Sequence, residues 1–162
     1  HSVFAMAYIG IPMLLLPKAS YYLGNEFPWI LASIFILIWC NDTFAYLTGR
    51  AFGKNKLFER ISPNKTWEGF FGGVAVTIIA SIVMQHFLPF LPLHGWIGLA
   101  IIVSVFGNIG DLFESALKRN FNLKDSGKLM PGHGGILDRL DSLFFVLPVS
   151  YFYLRILETT TI

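Results

Sequence analysis

Between Ser115 and Asp141 the chain reads SALKRNFNLKDSGKLMPGHGGILDRLD, which packs five Lys or Arg, three Asp, one His and four Gly into 27 residues. Each residue type has a use in phosphate chemistry. Glycines free the backbone to close around an anion, cations supply charge for phosphates, and carboxylates beside them suit a hard divalent metal. Pro131, Gly132, His133, Gly134 and Gly135 precede an apolar run expected to be a helix. The N-terminus of such a helix turns free N–H groups and a positive dipole end toward an anion. Asp138, Asp141 and Ser142 then follow at i, i+3 and i+4 on one face of its first turns, with Arg139 pointing elsewhere. Acids in a first turn also complement the helix dipole without any ligand, and His133 reads equally as a phosphate contact, a proton carrier or a solvated loop residue.

Upstream, Ser104, Asn108, Asp111, Ser115 and Lys118 are spaced four, three, four and three, so all five share one helical face. Asp111 is seven residues from Lys118, about 10 Å down the helix at about 1.5 Å per residue. An uncompensated carboxylate inside a membrane costs about 2.5–3.5 kcal/mol on insertion scales, so the spacing predicts a partner for Asp111. That partner is a metal or, in the plainer reading, a cation or an interhelical hydrogen bond. Glu114 either joins the acidic cluster or pairs with Lys118 at i+4, the pair being favoured. Asn41, Asp42, Thr43 and Tyr46 form a second polar patch, for which function and helix packing are both open. In the loop before the third long apolar run, Ser62 or Thr66 is expected to cap a helix opening near Gly69, with Glu68 in its first turn. Lys65 is a candidate second phosphate contact there.

The elements that hold these residues are apolar. With 54% hydrophobic, 16% aromatic and 14% charged residues over 162 positions, the chain is too apolar for a soluble domain and reads as one integral membrane region, residues 1–162. Five apolar segments are visible, Ser2 to Leu16, Phe27 to Gly49, Gly69 to Leu91, Gly95 to Leu117 and Ile136 to Leu157. The last four each reach the roughly 20 residues that a helix needs to span the hydrocarbon. The expected fold is therefore all-α, a polytopic bundle of about five transmembrane segments. Because the chain opens at His1 inside an apolar run, with no basic n-region or cleavage site, a fragment of a longer polypeptide is expected rather than a signal peptide.

Ten of the twelve cations (Arg50, Lys54, Lys56, Arg60, Lys65, Lys118, Arg119, Lys124, Lys128 and Arg139) fall on one side of these spans, with Lys18 and Arg155 on the other. The asymmetry predicts that both polar loops face the cytoplasm. Trp29, Trp96 and Trp67 fall near helix ends and read as interfacial anchors, not as a nucleotide-stacking box, and no nucleic acid polymer is expected as a partner. Cys40 reads as a small buried residue.

The runs Ser115-Ala-Leu-Lys118-Arg119, Lys124-Asp125, His133-Gly134-Gly135 and Asp138-Arg139-Leu-Asp141 resemble the signature of the phosphatidate cytidylyltransferase family. Asp42 in a DTxAY-like setting and Ser62-Pro-Asn-Lys65-Thr66-Trp67-Glu68-Gly69 resemble that family's second motif, with Asn64 in place of the commoner Lys. The resemblance implies an integral enzyme of the bacterial inner membrane, with its site facing the cytoplasm, that joins CTP to phosphatidate with Mg²⁺. It implies metal-binding acids at Asp111 and Asp138. Lys118, Arg119, Lys124, Asp125, His133, Arg139 and Asp141 would surround the nucleotide and phosphates, with Ser62, Lys65, Ser115, Gly134 and Gly135 as further substrate contacts. A homodimer is compatible with the family. Two other readings compete: a CTP-dependent lipid kinase or a cytidylyltransferase for another lipid phosphate, and a transporter, since intramembrane acids also mark ion pathways. The transporter leaves the dense cation and glycine loop unused.

Overall fold

The computed structural model describes residues 2–120 and 137–161. Five long helices account for most of them: α1 (Ser2–Leu23), α2 (Phe27–Phe52), α3 (Trp67–Phe87), α4 (Leu93–Asn120) and α5 (Leu137–Thr161). Four stretches are long and apolar enough to cross a membrane, and the first of them, Tyr8–Phe52, runs through both α1 and α2. The protein is an integral membrane helix bundle. Lys124, Asp125, His133, Gly134 and Gly135 lie outside the described residues, as do the side chains of Asp138 and Arg139.

The first helix is longer than the apolar run Ser2 to Leu16 implied, continuing through Pro12 and Pro17 to Leu23. Proline is tolerated inside membrane helices because neighbouring groups can satisfy the freed carbonyls, and α1 packs along α5. A short 3₁₀ turn at Gly24–Glu26 reverses the chain into α2, whose second residue is Pro28. A proline there has no helical N–H to lose.

The bundle core is built from Ile30, Ile34 and Leu37 of α2, Trp96, Leu99 and Val103 of α4, and Val146 and Leu154 of α5. Trp96 is fully buried and donates its indole N–H to the Leu88 carbonyl at 3.2 Å. This corrects its reading as an interfacial anchor: a ring near a helix end faces either the headgroups or a neighbouring helix, and here α4 turns it inward. Trp29 and Trp67 are exposed, as anchors require. Cys40 is only partly buried. The buried Ser33 and Thr77 hydroxyls are satisfied within their own helices, Ser33 donating to the Trp29 carbonyl at 2.7 Å and Thr77 to that of Gly73 at 2.8 Å.

Helices α2 and α3 meet through small residues. A Cβ at Gly69 would lie 2.6 Å from the Ala45 carbonyl oxygen and 3.1 Å from the Gly49 Cα, so the two backbones touch where a side chain has no room. Gly69→Ala should destabilise the folded protein by about 1–3 kcal/mol, the usual range for overpacking. Thermal unfolding of the detergent-solubilised protein measures it, and an unchanged midpoint would contradict the close crossing.

The segment joining α2 to α3, expected only as a polar loop, contains a two-stranded antiparallel hairpin, β1 (Lys56–Phe58) and β2 (Ser62–Thr66). Lys56 pairs with Thr66 and Phe58 with Ser62, with an irregularity between them. Glu68 ties the base of the hairpin to its helix by accepting from the Asn55 backbone N–H at 3.2 Å and its side-chain amide at 2.8 Å. Thr66 caps α3, its Oγ1 accepting from the Gly69 N–H at 3.1 Å, so the cap falls on one of the two residues expected while the helix opens at Trp67 rather than Gly69.

The bundle has two unlike ends. At one, Tyr22, Glu26, Phe90, Pro92 and Leu157 share a cleft, and the Arg155 guanidinium sits 3.8 Å from the centre of the Tyr22 ring. The other carries the hairpin, the C-terminal end of α4 with Lys118 and Arg119, and the start of α5.

Candidate active site

At the hairpin end, α4 supplies the polar face that the spacing predicted, and β2 supplies its partner. The Lys65 ammonium reaches across from the hairpin to Asp111, with 2.6 Å between Nζ and Oδ2, and donates to the Asn108 side-chain oxygen at 3.2 Å. Asn108 in turn donates its amide to the Ser104 carbonyl at 2.9 Å, which orients its oxygen toward the lysine. Ser115 donates to the other Asp111 oxygen at 3.3 Å. The predicted partner of the intramembrane acid is thus a cation from a loop motif 46 positions earlier in the chain. The side chains of Lys65 and Asp111 are 23% and 39% exposed, so both remain reachable from a cleft.

That cleft has a volume of about 340 Å³, and its walls include Asp42, Tyr46, Ser62, Asn64, Lys65 and Asp111. Three elements that are distant in sequence therefore build one site: α2, the hairpin and α4. Asp42 also lines a second cleft of about 330 Å³ with Trp39, Leu140 and Asp141, between α2 and α5.

The α4–α5 crossing decides where Asp141 lies. A Cβ at Gly110 would stand 2.6 Å from the Asp141 carbonyl oxygen and 3.0 Å from the Ser142 Cα. Only a glycine lets α5 come this close beside Asp111. Asp141 is buried, with one carboxylate oxygen accepting from the Ser142 backbone N–H at 2.6 Å, and it feels the charges of Asp111 and Lys118. Lys118 is bound by Glu114 at 3.4 Å, as the i+4 spacing favoured, and Glu114 is almost wholly buried. Arg119 is exposed at the end of α4. Asp138 is the second residue of α5.

Among the described residues no group of three or more His, Cys, Asp or Glu is close enough to hold a metal ion. Asp111 nevertheless offers hard carboxylate oxygens on the wall of a polar cleft, the donor chemistry that Mg²⁺ selects, usually through one or two carboxylates plus substrate phosphates. As one ligand of such an ion it fits.

Asp42, Tyr46, Asn64 and Asn108 line the cleft or hold its lysine, although the sequence assigned them no contact in the site and left Asp42 and Tyr46 open between function and helix packing. Asn108 had a readable signal in its place on the α4 stripe, and Asp42 had one in its intramembrane position. Asn64 had only its neighbourhood to Lys65.

A family model described as the cytidylyltransferase family matches residues 1–157. The chain belongs to the cytidylyltransferase family. It is 47% identical over 147 residues to the phosphatidate cytidylyltransferase of Staphylococcus epidermidis and 46% identical over 147 residues to that of Staphylococcus aureus, in both cases over 90% of this chain and 55% of the relative. The protein of the same name from Staphylococcus saprophyticus is 47% identical over 146 residues. The chain thus spans about half the length of the curated relatives it matches. The family model runs through α1 to α5, so membership rests on the whole bundle and not on the Ser115–Asp141 stretch alone.

Proposed function

We propose that this cytidylyltransferase region catalyses the transfer of the cytidylyl group of CTP to phosphatidate, forming CDP-diacylglycerol and pyrophosphate. The observation that carries the reading is the Lys65–Asp111–Asn108 constellation. It is a cation and a carboxylate held together at membrane depth, on the wall of a cleft at the bundle end that carries the cationic loops. Relatives named phosphatidate cytidylyltransferase support it.

A phosphate oxygen of phosphatidate attacks the α-phosphorus of CTP, forming the new P–O bond as the bond to the bridging oxygen of the β-phosphate breaks. Pyrophosphate leaves with that electron pair, and no covalent enzyme intermediate is required. Both reactants are anions, so positioning and charge neutralisation are what the protein has to provide. Lys65 and Ser62 contact phosphate oxygens from the hairpin. Lys118, Arg119, Lys124 and Arg139 add positive charge, with Ser115, Asp125, His133, Gly134, Gly135 and Asp141 around the nucleotide. Asp111 and Asp138 would hold Mg²⁺, which when bound neutralises charge on the reacting and leaving phosphates. The lipid keeps its tails in the bilayer while its headgroup meets the nucleotide at the hairpin end.

Label transfer tests the reaction. The full-length protein in liposomes receives phosphatidate, Mg²⁺ and CTP labelled at either the α or the γ phosphorus. Label from the α position should appear in lipid and γ label in pyrophosphate. Lipid labelled only from the γ position would make the protein a kinase, and no lipid label from a folded, metal-binding preparation would favour a transporter.

The site faces the cytoplasm of the bacterial cell in this reading, because Arg50, Lys54, Lys56, Arg60, Lys65, Lys118 and Arg119 gather at the hairpin end. With Cys40→Ala as background, Lys56→Cys and Lys124→Cys should react with an impermeant thiol reagent in opened membranes and not in intact cells. Labelling of either in intact cells overturns the orientation.

A further inference from the structure

The hairpin has an outer face that the site does not use. In β1, Leu57 turns toward the cleft while Lys56 and Phe58 turn the other way, as alternation along a strand requires. Phe58 is 51% exposed although it lies outside both flanking helices. Arg50, Lys54, Lys56 and Arg60 are also exposed. None of these four has an ion pair among the described residues, and Glu59 and Glu68 are the acids nearest Lys54, Lys56 and Arg60 in the chain, Glu68 being engaged by Asn55. Phe52, Trp67 and Phe71 are exposed where α2 ends and α3 begins, with the Trp67 and Phe71 rings stacked at 6.0 Å.

Because α2 and α3 are spanning helices, the hairpin that joins them is fixed at the bilayer surface, and exposed aromatic rings beside it sit at headgroup level. Uncompensated cations interleaved with such rings match an anionic leaflet. We propose that the outer face of the β1–β2 hairpin docks on anionic lipid headgroups, with Lys54, Lys56 and Arg60 meeting the phosphates and Phe58 entering the interface. Docking on this face holds the opposite face of the hairpin, and with it Lys65, over Asp111. The occupant is a lipid surface of negative charge, and the contact is distinct from substrate binding in the cleft.

The test uses the full-length protein with Cys40→Ala and Phe58→Cys, carrying an environment-sensitive fluorophore at position 58, in liposomes of phosphatidylcholine with or without phosphatidylglycerol. A matched sample carries the fluorophore at His94→Cys, at the opposite end of the bundle. Emission at position 58 should shift to the blue when phosphatidylglycerol is present and return toward the phosphatidylcholine value in high salt, which screens charges beyond a Debye length of about 3 Å at 1 M. Lys54→Gln, Lys56→Gln and Arg60→Gln together should abolish the shift, while position 94 should not respond. Equal emission in both lipids overturns the proposal, as does a shift that survives high salt or appears equally at position 94. A shift that depends on protein density in the liposome and not on lipid charge would assign the face to a second copy of the chain and likewise overturn it.

Discussion

Asp111→Asn should reduce cytidylyl transfer by at least the roughly 10²–10³-fold seen when one preorganised electrostatic group is removed, while the protein still inserts and purifies normally. The substitution keeps the shape and removes the charge that Lys65 and Ser115 hold in place at 2.6 and 3.3 Å. An amide is also a far poorer ligand for Mg²⁺ than a carboxylate. Asp138→Asn should cost as much, if the two acids share the ion. Turnover measured across a Mg²⁺ titration decides both, and near wild-type rates at saturating Mg²⁺ for either variant would remove the shared-metal assignment. Asp141→Asn should be milder in rate, because its buried carboxylate is already engaged by the Ser142 N–H at 2.6 Å.

Lys65→Met carries the second large effect. It should lower kcat/KM by about 10²-fold, through loss of a phosphate contact, and it leaves Asp111 without its cation. Breaking a buried pair costs about 3–5 kcal/mol and an exposed one about 0–1 kcal/mol. With the partners 23% and 39% exposed, the loss of stability should fall between, near 1–2 kcal/mol. Adding Asp111→Asn to Lys65→Met should recover most of that stability without recovering activity, since no unpaired charge remains. A double variant as unstable as the sum of the single ones would mean the two residues are not coupled. Lys65→Arg should restore stability better than rate, because the planar guanidinium keeps the charge but not the compact geometry of the ammonium beside Asn108.

The stripe Ser104, Asn108, Asp111, Ser115 and Lys118 was legible because helical spacing is a local property: once α4 is a helix, the residues must share a face. The same held for the Glu114–Lys118 pair and for the Thr66 cap, each made within one turn. The membrane setting and about five spans followed from composition and segment length. Less legible was the hairpin, whose strands of three and five residues include Pro63 and Asn64 and lack a sustained alternation of apolar and polar side chains. Trp96 was misread because an end position does not say which way a ring faces.

From the sequence alone came the helices, their order, the sidedness of charge and the intramembrane acid that required a partner. Which partner it takes was left to tertiary structure, since Lys65 and Asp111 are joined only when the hairpin folds back over α4. The same is true of the shared wall of Asp42 and Asn64 and of the approach of Asp141 at Gly110. Spacing along a helix constrains neighbours three and four residues away, whereas contacts between elements depend on crossing geometry. Here the glycines on α3 and α4 set that geometry by letting backbones touch.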